Sequence, residues 1–237
     1  MRYFLTSFLL IFCQSSIADH PKSFRSAKTT ANKIYQTHLK TFYCGCDLKP
    51  IGRKNKLTPD MKACGYKPRV SITRKGNPNQ RAKRIEWEHV FSAWSFGNQR
   101  QCWKKGGRKN CSKNDPIFKQ MESDLHNLTP AIGELNGDRS NFRFAMLPGE
   151  PRKYGTFDFE VDFKSRKTEP PENIRGDIAR INFYMRDQYQ LILSKSQTQL
   201  FTAWGKQDPV SKWECRRDGL ITGVQGNSNP YVSNQCK

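Results

Sequence analysis

Two segments decide the fold of this chain: Arg84-Ile85-Glu86-Trp87-Glu88-His89-Val90 and Asn127-Leu128-Thr129-Pro130-Ala131-Ile132-Gly133-Glu134-Leu135-Asn136. The first is a short strand-like run that ends in a carboxylate beside an imidazole. The second is expected to form a turn and then a helix that starts at Pro130 and ends in the carboxamide of Asn136, since threonine and proline suit the first positions of a helix. Neighbouring residues of a strand point to opposite faces. The backbone must therefore turn after the first segment if Glu88 and His89 are to serve one site.

The residue types in the two segments suit hydrolysis of a phosphodiester bond. A neutral histidine can take the proton of an attacking water at physiological pH, which makes His89 the candidate base. Glu88 and Asn136 offer hard oxygen ligands to a divalent cation that keeps several of its waters. A Glu-His pair alone is a weak signal, because most such histidines lie on the surface or in the core. The hypothesis depends on the combination of the two segments.

The composition indicates a polyanionic partner. The chain has 41 Lys and Arg residues against 21 Asp and Glu, a net charge of +20. Because this excess is larger than solubility requires, we expect nucleic acid as the first partner and an anionic membrane surface only as the second. The rival class is a non-catalytic cationic protein that binds DNA or anionic surfaces. It explains the charge but leaves the two segments unexplained.

The N-terminal residues predict export. A basic start at Arg2, an apolar run from Tyr3 to Phe12 and the small residues Ser16 and Ala18 are typical of a cleaved secretory signal. We expect residues 1–18 to be the signal peptide and residues 19–237 to form one domain, periplasmic or secreted. The apolar run is too short to span a bilayer, and no later run approaches that length.

Seven cysteines follow the predicted signal peptide: Cys44, Cys46, Cys64, Cys102, Cys111, Cys215 and Cys236. Exported proteins normally pair such thiols. Cys102 with Cys111 and Cys215 with Cys236 are the local candidates. Cys64 is expected to pair with either Cys44 or Cys46, so that one thiol stays free. The Cys-Gly-Cys spacing and the oxidising compartment argue against a zinc site here.

The hydrophobic periodicity predicts a single mixed α+β domain that is rich in helix, has a small antiparallel sheet and is stapled by disulfides. Helices are expected at 19–40, 115–125, 172–193 and 195–205, the last closed by Gly205. Strict alternation predicts a half-buried strand at 157–163. Residues 41–84, 97–114 and 206–237 are expected to be irregular, the first two as basic loops and the last as a stapled tail.

Longer motifs around the two segments resemble a known family. They are Arg84 to Val90, Arg100-Gln101-Cys102-Trp103, Gly106-Gly107-Arg108-Lys109-Asn110-Cys111 and Asp124 to Asn141. The chain resembles the endonuclease I family from about Phe24 to Cys236. These are secreted or periplasmic non-specific nucleases of Gram-negative bacteria with a ββα-metal (His-Me finger) active site.

The resemblance implies a role for each candidate residue. His89 would be the general base, Glu88 and Asn136 the ligands of one Mg²⁺, and Arg108 the residue that holds the cleaved phosphate. Ca²⁺ or Mn²⁺ could occupy the same oxygens. The metal would stabilise the transition state and the leaving group, giving 5′-phosphate and 3′-hydroxyl ends. The expected substrate is single- and double-stranded DNA, bound through its backbone by a monomer without sequence preference, and some members of the family also cut RNA.

The chain departs from the family pattern at one position, and three further expectations concern residues outside the candidate catalytic set. Family members carry an additional cysteine near the position of Phe157, which this chain lacks, in agreement with the odd cysteine count. Glu86 is expected to pair with a neighbouring arginine, and His126 to pack rather than to act. Trp87, Trp94 and Trp103 could stack on nucleic-acid bases, but all three are expected in the core or against a strand.

Overall fold

The computed structural model describes residues 20–149 and 151–237, so the predicted signal peptide and its cleavage site lie outside the described residues. The first half of the domain contains α1 (Phe24–Ile34), β1 (Leu48–Ile51), β2 (Lys56–Pro59), β3 (Ile85–His89), α2 (Ala93–Gly97), α3 (Gln101–Lys104), α4 (Gly107–Asn114), α5 (Pro116–Glu122), β4 (Leu128–Ile132) and α6 (Gly133–Arg139). The second half contains β5 (Arg143–Phe144), β6 (Glu160–Asp162), β7 (Lys167–Glu169), α7 (Arg175–Gln188), α8 (Lys195–Gln207), α9 (Lys212–Gln225) and α10 (Pro230–Ser233). The predicted helix-rich α+β domain is confirmed.

Among the described residues, three small sheets replace the single sheet that was expected. Strands β1 and β2 form an antiparallel hairpin, and β3 pairs antiparallel with β4. In the third sheet the central strand β7 pairs antiparallel with β6 and parallel with β5. The β3–β4 pair leads directly into α6, and this unit carries both segments that opened the sequence analysis.

The prediction of a helix start at Pro130 is wrong, because this residue lies in the middle of β4. Its lack of an N–H is tolerated in a two-stranded sheet, where one side of each strand is an edge. Pro130 is opposite Trp87 in the register, and its carbonyl accepts a hydrogen bond from the Phe42 amide at 2.8 Å. The helix begins at Gly133 instead. A Cβ at this position would lie 2.9 Å from the Glu86 carboxyl group and 2.8 Å from a backbone oxygen, so only glycine fits this close approach.

The predicted basic loop at 97–114 is mostly helical. Helices α3 and α4 are short and polar, and the disulfide between Cys102 and Cys111 ties one to the other. Gly107, with φ of +63°, allows the sharp turn between them. Such short helices depend on tertiary contacts more than on apolar periodicity, which explains why the sequence pattern missed them.

The tail is also helical where an irregular segment was expected. Helix α9 starts in a capping box formed by Ser211 and Glu214 and ends at Gly226 in the left-handed conformation. Gly205 lies inside α8 instead of closing it. Residues 172–193 form a 3₁₀ turn followed by α7, which ends at Gln188.

Other elements are shorter than predicted or were not foreseen. Helix α1 covers only part of 19–40, with Ser23 as its cap. Residues 41–84 contain the β1–β2 hairpin, which their glycines and prolines concealed. In the predicted strand 157–163 only β6 is regular. Its neighbours Glu160 and Val161 are both buried, so both faces of the strand are covered there, whereas Phe163 lies beyond the end of β6 and is exposed.

The disulfide predictions are confirmed. Cys102 pairs with Cys111, Cys215 pairs with Cys236, and Cys46 is the partner of Cys64. Among the described residues Cys44 is left as the free thiol. Within 20–149 and 151–237, no helix combines the length and the apolar character needed to cross a bilayer.

Candidate active site

The backbone turns immediately after His89, as the placement of both candidate residues in one site requires. Asn127 holds this turn with three hydrogen bonds. Its carbonyl accepts from the Val90 amide at 3.1 Å, while its side chain accepts from the Phe91 amide at 2.7 Å and donates to the Phe91 carbonyl at 3.0 Å. Strand β3 therefore ends at His89.

All four predicted site residues line one cavity of about 540 Å³, here called the central cavity. Glu88 and His89 enter it from the end of β3, Arg108 from α4 and Asn136 from α6. The remaining lining residues are mainly basic, aromatic and amide side chains: Arg81, Trp87, Ser92, Ala93, Trp94, Trp103, Gly137, Ser140, Asn141 and Arg166. Residues that are far apart in the chain thus converge on one electropositive concavity.

His89 is buried and held in one tautomer. Its Nε2 lies 2.9 Å from the backbone carbonyl oxygen of Glu122. Because a carbonyl can only accept, Nε2 must carry the proton, which leaves the lone pair on Nδ1. Burial, followed by the nearby Arg108 guanidinium, lowers the pKa of His89 to about 3. The imidazole is therefore neutral at physiological pH and can accept a proton at Nδ1.

Glu88 is 2% exposed, and its Oε1 atom is satisfied by two donors. The Tyr43 hydroxyl donates at 2.8 Å and the Arg139 Nη1 at 2.9 Å. Burial raises the pKa of the Glu88 carboxyl, and the charge of Arg139 opposes that rise. Arg139 also donates to the backbone carbonyls of His89 and Val90, so it holds both the carboxylate and the strand end.

Asn136 is oriented by a carboxylate outside the predicted ligand set. Its Nδ2 donates to Glu86 Oε2 at 3.1 Å, so the amide oxygen Oδ1 is left to act as an acceptor or ligand. Glu86 in turn accepts from Arg81 and Arg84. The expected pairing of Glu86 with arginine is thus observed, and both guanidiniums hold its pKa below the usual range against the opposing effect of burial.

Within the part of the chain that the structure describes, Arg108 is anchored through one nitrogen only. Its Nε donates to Glu122 Oε1 at 2.6 Å, and the Ser112 hydroxyl donates to Glu122 Oε2 at 2.7 Å. The guanidinium lies 5.1 Å from the ring centre of Phe24, and the same ring is 4.8 Å from that of His89. Phe24 and Glu122 therefore contact both His89 and Arg108, and the Nη groups of Arg108 are left for a ligand.

Sequence reasoning missed Tyr43, Glu122, Asn127 and Arg139 as parts of the site. Asn127 and Arg139 lie within the family motif from Asp124 to Asn141, but the motif does not indicate what they hold. Tyr43 and Glu122 carry no such local signal, because the roles of all four residues come from buried contacts with residues distant in the chain. The predicted position of Trp94 in the core is wrong. It was expected to pack, yet it is 48% exposed at the rim of the central cavity, because the opposite side of α2 supplies the buried residues. His126 packs as expected, with its Nε2 donating to the Asn227 carbonyl at 2.9 Å.

The donor set fits a hard divalent cation. Among residues 20–149 and 151–237, no three His, Cys, Asp or Glu side chains are grouped to hold a metal by themselves. Glu88 and the oxygen of Asn136 supply one anionic and one neutral hard ligand to the same cavity. Such a small set suits Mg²⁺, which usually keeps several waters and takes one or two carboxylates together with substrate phosphates.

Two further cavities adjoin the central one. The basic cavity, of about 470 Å³, shares Trp87, Arg108 and Asn136 with it and is otherwise lined by Phe24, Lys28, Asn32, Lys56, Arg84, Ile85 and Glu86. The amide-lined cavity, of about 640 Å³, shares Ser92, Trp94, Asn141 and Arg166 with it, and its other amide side chains are Asn98, Gln99, Asn182 and Gln197. The candidate catalytic residues therefore lie in the middle of a longer groove with a positive lining.

Comparison with known proteins identifies the family of the chain. The Endonuclease I family profile matches residues 22–236. An extracellular deoxyribonuclease of Aeromonas hydrophila is 51% identical over 221 residues, covering 93% of this chain and 92% of that protein. A periplasmic deoxyribonuclease of the same species is 49% identical, covering 93% of this chain and 89% of that protein. Endonuclease-1 of Buchnera aphidicola subsp. Acyrthosiphon pisum (strain APS) is 48% identical, covering 91% and 82%.

These relatives confirm the resemblance and the predicted export, and they leave the rival class of non-catalytic cationic proteins without support. The chain is a periplasmic or secreted nuclease, and it belongs to the endonuclease I family.

Proposed function

We propose that this protein is a Mg²⁺-dependent endonuclease that cuts DNA through backbone contacts with little sequence preference, leaving 5′-phosphate and 3′-hydroxyl ends. The deoxyribonuclease activity named for its Aeromonas relatives supports DNA as the substrate. The basic lining of the groove supports recognition of phosphates, which carry no sequence information.

His89 is the proposed general base. Its Nδ1 lone pair takes the proton of the attacking water, while Nε2–H remains bonded to the Glu122 carbonyl. That hydrogen bond stabilises the imidazolium as it forms and keeps the ring from rotating. The low pKa of His89 keeps the base unprotonated over the whole neutral range.

Arg108 is proposed to hold the phosphate that is cut. Arg108 lines the central cavity and its Nη groups have no hydrogen-bond partner among the described residues, so they can donate to a phosphate, whose developing negative charge would strengthen those hydrogen bonds. Glu88 and Asn136 would hold the Mg²⁺, with Arg139 and Tyr43 fixing the carboxylate and Glu86 fixing the amide. A bound Mg²⁺ would supply Lewis-acid chemistry, neutralising charge at the phosphate and at the leaving oxygen.

The observation that carries the proposal is the convergence of four residues from three separate elements on the central cavity, with the tautomer of His89 fixed by a backbone carbonyl. A structural histidine would not need a free ring nitrogen facing an electropositive cavity.

A plasmid-nicking assay tests the proposal. His89→Ala should lower the rate by about 10²–10⁴-fold, the usual contribution of a positioned general base. His38→Ala is the matched control, because His38 is half-buried, stacks on Trp213 and lines none of the three cavities. EDTA should abolish nicking, and added Mg²⁺ should restore it.

Labelling of the products identifies the ends. Terminal transferase should extend them without prior phosphatase treatment, because they carry 3′-hydroxyl groups. Activity of the wild-type level in His89→Ala would remove this residue as the base, and undiminished activity in EDTA would remove the metal. Parallel reactions on DNA and RNA of the same sequence decide whether RNA is also a substrate.

A further inference from the structure

The amide-lined cavity lies beside the central cavity and has a lining suited to a nucleotide. The two cavities share four residues, so a strand that crosses the central cavity continues directly into this one. Its volume of about 640 Å³ falls within the range of small-molecule sites. None of the catalytic or metal-binding residues proposed above lines this cavity, so its polar lining needs a separate explanation.

Asn182 is a buried acceptor in this cavity. The side chain is 5% exposed, and its Nδ2 donates to the Ile178 carbonyl of the same helix at 2.7 Å. The bond to a carbonyl identifies the nitrogen, so the remaining amide atom is the oxygen. Within the part of the chain that the structure describes, this oxygen has no hydrogen-bond donor. It is placed to accept from a ligand N–H.

Trp94 provides a flat apolar surface at the junction of the two cavities. It is 48% exposed, and this ring lines both of them. An exposed tryptophan next to a phosphate site is the feature on which single-stranded bases stack, whatever their sequence. Phe142 offers a second aromatic side chain to the amide-lined cavity.

The charge of the amide-lined cavity favours an anion. No Asp or Glu of the described ranges lines it, whereas three arginines do. Arg139 is engaged by Glu88, but Arg143 is exposed and forms no ion pair with any described residue. Arg166 donates to the side-chain oxygen of Asn141 at 3.0 Å and lies 5.5 Å from the ring centre of Phe142, and it forms no ion pair with any described residue either. Arg143 and Arg166 therefore keep positive charge available for a phosphate.

We propose that the amide-lined cavity binds the nucleotide that adjoins the scissile phosphate, with its base unstacked from its neighbours in the strand. The base lies against Trp94 and donates an N–H to Asn182, and its outer phosphate contacts Arg143 or Arg166. This inference rests on the proposed nuclease function and adds a subsite to it.

A preference among substrates follows from this subsite. A base inside an intact duplex has both faces stacked and its pairing edge occupied, so it must be extruded before it can enter the cavity, at a cost in free energy. Bases in single strands and at unpaired or frayed positions require little or none of this free energy, because they are already unpaired. The enzyme is therefore expected to cut them faster than the interior of a regular duplex.

The test uses single-stranded oligonucleotides with one cleavable phosphodiester, all other linkages being phosphorothioate. An abasic residue is placed on the 5′ or the 3′ side of the cleavable bond. For the wild-type enzyme, one of the two placements should slow cleavage by about 10-fold, the scale of one base-stacking contact. Trp94→Ala should slow cleavage of the intact strand by a similar factor and should be insensitive to the abasic residue.

Two variants make this test specific. Phe163→Ala removes another exposed aromatic side chain, 42% accessible, that lines none of the three cavities, so it should keep the wild-type response. Trp94→Phe retains a stacking surface and should recover most of the abasic effect.

The subsite is refuted if neither abasic placement slows cleavage by the wild-type enzyme. It is also refuted if the abasic residue slows cleavage by Trp94→Ala by the same factor as it slows cleavage by the wild type. A wild-type enzyme that cuts none of the oligonucleotides or plasmids overturns the proposed nuclease function instead, which separates the two failures.

Discussion

Glu122 connects the proposed base to the proposed phosphate-binding residue. Its backbone carbonyl accepts from His89 Nε2, and its buried carboxylate accepts from Arg108 Nε at 2.6 Å and from Ser112 at 2.7 Å. The substitution Glu122→Gln keeps the backbone and almost the same shape but removes the negative charge. It therefore perturbs Arg108 without removing the hydrogen bond that fixes the tautomer of His89.

The contacts set the size of the expected effect. A hydrogen bond to a charged group contributes about 1.5–3 kcal/mol, which corresponds to roughly 10–100-fold in a rate. We expect kcat to fall within that range if Arg108 is no longer held in its productive orientation. KM for DNA should change little, because many other basic residues line the groove.

A double-mutant cycle gives the sharpest assay. Glu122→Gln, Arg108→Ala and the combined variant are compared in steady-state cleavage of a fluorogenic oligonucleotide. If Glu122 acts through Arg108, the combined variant should be no slower than Arg108→Ala alone. Asp115→Asn is the matched control, since Asp115 forms a similar pair with Arg100 at 2.7 Å and lines none of the three cavities.

Two outcomes would refute this reasoning. One is a multiplicative loss in the combined variant, which would mean that Glu122 acts independently of Arg108. The other is a loss of activity that merely follows a loss of thermal stability, which melting curves of Glu122→Gln and Asp115→Asn would reveal.

Three further predictions concern stability and salt. Arg139→Met should lower the free energy of unfolding at pH 7 by about 3–5 kcal/mol, because it leaves Glu88 buried without its counter-charge; denaturant titration measures this, and a loss below about 1 kcal/mol would contradict it. Burial, assisted by neighbouring carboxylates, raises the pKa of Glu160 to about 7, so the folded state favours the protonated form and loses stability as the pH rises from the unfolded value towards 7. Glu160→Gln should therefore be about 2 kcal/mol more stable than the wild type at pH 8 and not at pH 4, and an equal effect at both pH values would sink the explanation. Because many Lys and Arg residues contact the DNA phosphates, the enzyme should stay active at higher salt than a less basic relative. The double substitution Arg74→Gln and Lys75→Gln removes two exposed charges and should make DNA affinity less dependent on salt concentration. An activity optimum at low ionic strength would argue against this prediction.

Much of the candidate site could be predicted from the sequence because its candidate residues lie in contiguous motifs. Glu88 and His89 are neighbours, and Asn136 ends a segment with a recognisable pattern. The family, the export and the disulfide partners of Cys102 and Cys215 also follow from local sequence. In each of these cases the informative residues are close together in the chain or belong to a long motif.

Helix and strand assignments were less successful where tertiary contacts oppose local propensity. Pro130 suits a helix start, yet pairing with Trp87 holds it in a strand. The basic segment around Arg108 lacks an apolar stripe, yet a disulfide and packing make it helical. The helix or strand preference of a short segment contributes less free energy than the tertiary contacts that the segment makes in the folded chain, so the contacts decide its conformation.

By itself, the sequence determined the compartment in which the chain is found and the family to which it belongs, and it predicted the four candidate side chains that the structure brings to one cavity. Only the tertiary structure decided how those side chains are held. Glu122 joins His89 to Arg108, Arg139 fixes Glu88, and Asn127 turns the chain after β3, in each case through buried contacts between residues far apart in the chain. Buried polar groups must find partners, and the folded chain alone sets which partners are within reach.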